Sequence, residues 1–247
     1  MTDRDGAAPP DLAAAMDGAR MRTHEDGTDP EVPVAGTALL LDDGADGPEV
    51  LMLERPDRGS FAGAWVFPGG KVEDGDEGGG EEDVARAAAA RETWEETGLV
   101  VATGALRTLS CWDPPPGLAL RIRTWFFLAE RPTGALALAA DEAVDAAWVR
   151  PADVLARHAR GELTLYPPTW VTLHGLARQP DVTAVFDAAR LSGVERFETV
   201  TRPGRAGPML LWNGDAEYGL GDPPEAASAR HRLEVGARPW LYTRTDA

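Results

Sequence analysis

Glu92, Glu95 and Glu96 stand at helical spacing behind the Gly69-Gly70 pair, and carboxylates so arranged can hold a hard divalent cation. Residues three and four apart on a helix share a face, which places the three at about 0°, 300° and 40° around its axis. Crowded like charges repel unless a cation joins them, and carboxylate oxygens suit Mg²⁺ or Mn²⁺. Mg²⁺ takes few protein carboxylates and fills its remaining positions with water and substrate phosphate, so the chemistry implied is phosphate chemistry. An acidic helix face is also what a solvated surface looks like, and Arg91 can pair with Glu95 one turn on.

The surrounding residues favour the metal reading. Trp65-Val66-Phe67-Pro68-Gly69-Gly70 reads as a short apolar strand ending in a Gly-Gly turn, and Gly98 reads as a helix stop. With Arg91-Glu92-Thr93-Trp94-Glu95-Glu96-Thr97-Gly98-Leu99, the segment resembles the nudix box. Two departures stand out. Gly70 and Arg91 are 21 positions apart, about seven more than the pattern has, which puts an insertion within 74–82 and lengthens the loop before the helix. Counting forward from Gly70 gives Asp76 at the place of the pattern's first Glu, and counting back from Arg91 gives Asp83. Asp83 also opens an Ala-rich run and reads as a helix N-cap. Thr93 replaces the usual aliphatic residue, at an expected cost in packing.

The resemblance implies metal-dependent hydrolysis of a diphosphate linkage in a nucleoside-diphosphate-linked small molecule, with Mg²⁺ or Mn²⁺ as cofactor. It assigns the metal to Glu92, Glu95, Glu96 and the backbone at Gly70. It assigns catalysis to Glu92, Glu96 and Arg91, with Glu92 either a ligand or the base and Arg91 orienting the glutamates through an ion pair. Arg55, at the end of the second strand, and Glu142, ahead of a later strand, become substrate-binding residues, although each also reads as plain surface charge. The insertion and the segment after Arg160 resemble the branch of peroxisomal coenzyme A diphosphatases and their bacterial relatives. Coenzyme A or acyl-coenzyme A is then the leading substrate, with ADP-ribose, dinucleotides and nucleotide sugars open. The alternative is a nudix-fold sensor that binds a nucleotide without cleaving it, although such domains typically lose box glutamates that this chain keeps. Nudix proteins often form homodimers, but nothing in the sequence specifies an interface.

The glutamates need a strand, a turn and a helix to hold them. Strands are expected at 34–41, 49–54 and 65–67, then a helix over 83–97. Strands at 106–112 and 121–128 flank Asp113-Pro114-Pro115-Pro116-Gly117, and another covers 144–149. Pro151 suits the first turn of a helix to about Arg160, since its missing N–H costs nothing there. An amphipathic run reaches Arg178, a helix covers 181–191, and 197–242 reads as strands and loops. The fold class implied by the resemblance is α/β (α+β), a nudix-type α/β/α sandwich with a mixed β-sheet and a C-terminal helical and irregular extension. Residues 1–32 read as a disordered acidic arm with a weak helix over 12–21, 33–180 as the nudix domain, and 181–247 as an extension packed on the same core.

Charge bounds the partners. The net charge of −17 is uneven, −16 over residues 1–150 and −1 over 151–247. A negative surface repels polyanions, so nucleic acid is an unsuitable partner and a small diphosphate substrate a suitable one. The single cysteine, Cys111, excludes an internal disulfide and has no evident partner for a thiol nucleophile. His24, His158, His174 and His231 lack zinc-site spacing. The chain shows no apolar run long enough for a membrane span, and its start lacks the features of a signal peptide, so the expected location is the cytoplasm.

Overall fold

The computed structural model describes residues 18–20, 22, 23, 25, 26, 29–58, 61–139, 143–219 and 228–245. In chain order its strands are β1 (Val34–Gly44), β2 (Gly47–Glu54), β3 (Trp65–Val66), β4 (Gly69–Lys71), β5 (Arg107–Asp113), β6 (Arg123–Glu130), β7 (Asp145–Val149), β8 (Glu195–Glu198), β9 (Val200–Gly204), β10 (Gly207–Leu211), β11 (His231–Glu234) and β12 (Leu241–Arg244). The α-helices are α1 (Glu81–Thr97), between β4 and β5, and α2 (Pro151–Ala159), α3 (Pro167–Leu176) and α4 (Val182–Ser192), between β7 and β8.

A run of apolar residues puts β1 at the centre, because side chains alternate between the two faces of a strand and both faces here are covered. Ala38 and Leu40 pack with Leu51, Trp125 and Phe127 toward Ala85 and Ala89 of α1. Leu39 and Leu41 point the other way, into a core with Met52, Phe126, Leu173 of α3, Val185 of α4 and Trp212. β1 runs antiparallel to β2 and β4 and parallel to β6, and the main path of the mixed sheet is β3-β2-β1-β6-β5-β8, with β7 paired to β2. Helices thus cover both faces of a mixed sheet. β9 to β12 form a separate antiparallel sheet of four strands. Among the described residues no helix is long and apolar enough to cross a membrane.

Small residues bring α1 onto the sheet. A Cβ at Gly36 would lie 1.7 Å from the carbonyl oxygen of Ala85, so the helix backbone rests directly on β1. The helix ends where Gly98 adopts φ 70° and donates its N–H to Trp94, a left-handed cap that a side chain would strain.

Several expectations are corrected. Asp83 is not the N-cap: the helix begins at Glu81 after Gly80, which offers no side-chain cap. Tertiary bonds explain the earlier start, because the Glu81 carboxylate accepts from Arg123 Nη1 and from Trp125 Nε1, both at 2.9 Å. Thr93 is fully buried and donates its hydroxyl to the Ala89 carbonyl at 2.6 Å, a bond that meets the need of the polar group inside the helix. Gly69 and Gly70, expected as a turn, form β4 because their backbones pair with β1. Within the segment expected to be a disordered arm, Arg22 and Asp26 are buried. The helix expected at 12–21 falls almost entirely outside the described residues.

Three histidines sit among aromatic rings. His158 of α2 meets Trp240 edge to face at 4.5 Å, His174 of α3 stacks on Trp170, and His231 packs against Tyr242. Burial pushes His158 down to about 4, helped by the charge of Arg238. Burial also lowers His174 and His231.

Two outcomes follow for stability. Gly36→Ala forces α1 off β1 and is expected to cost about 1–3 kcal/mol or more in urea unfolding, with an unchanged midpoint counting against this packing. The buried histidines stay neutral in the fold at pH values where the unfolded chain protonates them. Unfolding free energy is therefore complete above the ordinary histidine value of 6.5 and falls as pH drops from there toward about 4. His158→Leu should flatten that slope, and an equal slope in both proteins would contradict it.

Candidate active site

Four backbone segments converge beside the C-terminal half of α1. β2 ends at Glu54 and hands on Arg55, whose N–H donates to the Ala64 carbonyl at 2.9 Å and closes the 55–64 loop. β4 runs alongside β1 and presents Gly69, Gly70 and Lys71. α1 supplies the glutamates, and the loop between β4 and α1 supplies Asp76.

Glu96 is 1% exposed. Its carboxylate accepts from Arg55 Nη1 at 2.7 Å and from the Gly69 N–H at 2.9 Å. Burying a carboxylate costs free energy unless donors meet it, and Glu96 receives a guanidinium and an amide. Glu92 stands over Gly70, where a Cβ would come within 2.1 Å of its Oε1. A side chain at this position would push the Glu92 carboxylate aside. Glu95 points further out, with more than a third of its side chain exposed.

Arg91 ties these parts together. Nε and Nη2 donate to the two oxygens of Asp76, both at 3.1 Å, while Nη2 also reaches the Lys71 carbonyl at 2.9 Å. Nη1 donates to Glu92 and Glu95, both at 3.0 Å. The hydrogen bonds that Arg91 donates to Asp76, joined by the charge of Glu92, raise the Arg91 pKa further and keep the guanidinium protonated. One planar fork thus fixes the loop, β4 and two glutamates at once.

Of the two aspartates offered by counting, Asp76 reaches the site. It lies in the loop ahead of α1, with its carboxylate buried against Arg91. Asp83 sits in the first turn of α1 and pairs in solvent with Arg86. Glu142 lies outside the described residues. Among the described residues no three His, Cys, Asp or Glu side chains converge as a ready-made metal cage. Arginines separate the acids instead, with Arg91 bonded to both Glu92 and Glu95 and Arg55 on Glu96.

A cleft of about 910 Å³ opens from this point. Arg55, Arg58, Lys71 and Glu92 are among the residues that line it, and Phe61 and Tyr166 meet edge to face at 4.7 Å on the same lining. Phe61 has φ 61°, the one non-glycine residue in that region among those described, and such strain gathers at functional loops. Pro114, Pro115, Leu118, Leu120 and Ile122 make an apolar wall, backed by Trp112 and Trp212. Sequence reasoning missed this lining, having read the proline run only as a connection between strands. Cys111 lies buried on the α1 face of the sheet, its thiol pushed up to about 12 by burial, so it keeps its proton at neutral pH.

Asp76→Asn should lower stability by about 1.5–3 kcal/mol, the scale of a hydrogen bond to a charged partner. Asp83→Asn, at an exposed pair, should stay within about 0.5 kcal/mol. Equal losses in urea unfolding would mean that Asp76 does not anchor Arg91.

Residues 32–167 match the sequence pattern of the NUDIX domain family. No curated protein matches the chain. Among solved structures, a NUDIX hydrolase from Alicyclobacillus acidocaldarius is similar at 24% identity and a TM-score of 0.59, over 67% of this chain and 97% of that one. The NUDIX domain of Shewanella oneidensis NrtR, solved with ADP ribose, is similar at 20% identity and a TM-score of 0.46, over 62% of this chain and 96% of that one.

Proposed function

The chain belongs to the NUDIX family, whose pattern covers more than half of it, and from that premise we propose that it hydrolyses a diphosphate linkage in a nucleoside-diphosphate-linked small molecule with the aid of Mg²⁺ or Mn²⁺. The observation that carries the reading is that Glu92 and three basic residues, Arg55, Arg58 and Lys71, line the same large cleft.

The residues fit a hard divalent ion by donor chemistry, since Glu92, Glu95 and Glu96 offer only carboxylate oxygen. The missing side chain at Gly70 lets the Glu92 carboxylate lie directly against the backbone there, which brings a carboxylate and a main-chain segment together. When bound, the metal would polarise phosphoryl oxygens and lower the pKa of the attacking water. Arg55, Arg58 and Lys71 attract the diphosphate and hold it in the cleft. Arg55 also ties the substrate end of the cleft to Glu96. Arg91 aims Glu92 and Glu95 without lining the cleft itself, which makes it a positioning residue. Glu92 serves either as a ligand or as the base that takes a proton from water, since it alone of the glutamates lines the cleft.

The apolar wall supports a substrate with an extended, partly apolar group beyond the diphosphate, in line with coenzyme A or acyl-coenzyme A. ADP-ribose, dinucleotides and nucleotide sugars carry polar groups there and match that wall less well. A small diphosphate compound is the expected partner, handled in the cytoplasm.

A panel of coenzyme A, acyl-coenzyme A, ADP-ribose, NADH and nucleoside triphosphates, assayed with Mg²⁺ and with Mn²⁺, tests this. Wild type should cleave a diphosphate linkage, while Glu96→Gln and Gly70→Ala should lose about 100-fold or more, because small displacements of catalytic groups cost that much. Nucleotide binding without cleavage in wild type would favour the sensor reading instead.

A further inference from the structure

Arg22 comes from the segment before β1, yet its guanidinium is buried under the cleft wall. Its side chain is 1% exposed. Nη1 donates to Asp113 Oδ2 at 3.0 Å, and Nη2 donates to the carbonyls of Asp113 at 3.0 Å and Pro114 at 2.7 Å. Nε and Nη2 also point at the Thr199 carbonyl, both at 3.4 Å. Thr199 in turn donates its N–H to the Asp113 carbonyl and accepts from Trp212 Nε1 at 3.0 Å. Pro114, Thr199 and Trp212 all line the cleft.

The same segment grips the wall a second time. Arg20 donates its N–H to the Pro116 carbonyl at 2.9 Å, and a Cβ at Gly117 would lie 2.3 Å from the carbonyl oxygen of Gly18. Asp26 keeps the segment folded: it accepts from Thr23 N–H at 2.7 Å and from both terminal nitrogens of Arg20. Asp26 itself does not line the cleft.

A buried guanidinium exacts a desolvation cost that a loop connection alone does not require. Here it satisfies three carbonyls and a carboxylate from two distant parts of the chain, and those parts are the wall.

We propose that Arg22 is a positioning residue for substrate selection: Gly18, Arg20, Arg22 and Asp26 act as a strap that sets the apolar wall of the cleft, and the wall grips an apolar group joined to the diphosphate. This rests on the reading of the cleft as the site of diphosphate hydrolysis. Selectivity for an apolar group depends on close contact, so a wall that loosens loses grip on long chains first and leaves chemistry at the glutamates in place.

The test uses full-length protein and ADP esterified at its terminal phosphate with ethyl, hexyl or decyl groups. Wild type should show kcat/KM rising with chain length. Arg22→Met should reduce the decyl-to-ethyl ratio by about tenfold or more through KM, with kcat on the ethyl ester within about twofold, since each buried methylene adds severalfold in affinity. Arg22→Lys should restore part of the ratio. Asp26→Ala, which loosens the strap without altering the cleft lining, should move the ratio the same way and decides the matter if Arg22→Met does not fold. An unchanged ratio in the folded variants, with only a lower melting temperature, overturns the proposal. If wild type hydrolyses none of the esters, the hydrolytic reading fails on its own. Calorimetric affinities for the same esters without metal then read the same ratio and judge the strap separately.

Discussion

The approach of α1 to β1 at Gly36 is the constraint on which the site depends. A helix separated from a sheet by ordinary side chains would stand further off, and Glu92 would not reach the backbone of Gly70. Glycine at 36 and alanines at 85 and 89 let the two backbones meet, and glycine at 70 repeats the device one strand away. Close packing thus sets the depth at which the carboxylates lie, and tight interiors resist displacement by even a methyl group.

Charge is then distributed on that frame. The three glutamates would repel one another at this spacing, and the fold answers with two guanidinium groups from different places in the chain. Arg55 reaches in from the end of β2 to Glu96, and Arg91 spans Glu92, Glu95 and Asp76. The acids are thereby held in defined rotamers before any ligand arrives. A divalent ion would compete with Arg91 for the oxygens of Glu92 and Glu95, so metal affinity and the stiffness of the Arg91 network are coupled.

What could be read from the sequence follows from the range of each interaction. The box is local: the spacing of Glu92, Glu95, Glu96 and Gly98 directly encodes a helix face and its stop, and the mixed sheet between helices accompanies it. Asp76 was only half legible, since counting from Gly70 and counting from Arg91 disagree, and only the fold shows which aspartate meets Arg91. The start of α1 was misplaced because Glu81 is anchored by Arg123 and Trp125, more than 40 positions away. The apolar wall stayed hidden for the same reason. Nothing near Pro114 in sequence reveals that Arg22, Thr199 and Trp212 complete it.

That dispersal bears on how the molecule comes into being. Arg22 and Thr199 are 177 positions apart, and Trp212 lies further still. Contacts of this span close late, because a long stretch of chain must be ordered before they form. During synthesis the acidic box leaves the ribosome well before the residues that enclose its cleft, and Arg22 waits as a solvated cation until its acceptors arrive. The order of emergence therefore keeps the cleft open on one side until Thr199 and Trp212 have left the ribosome.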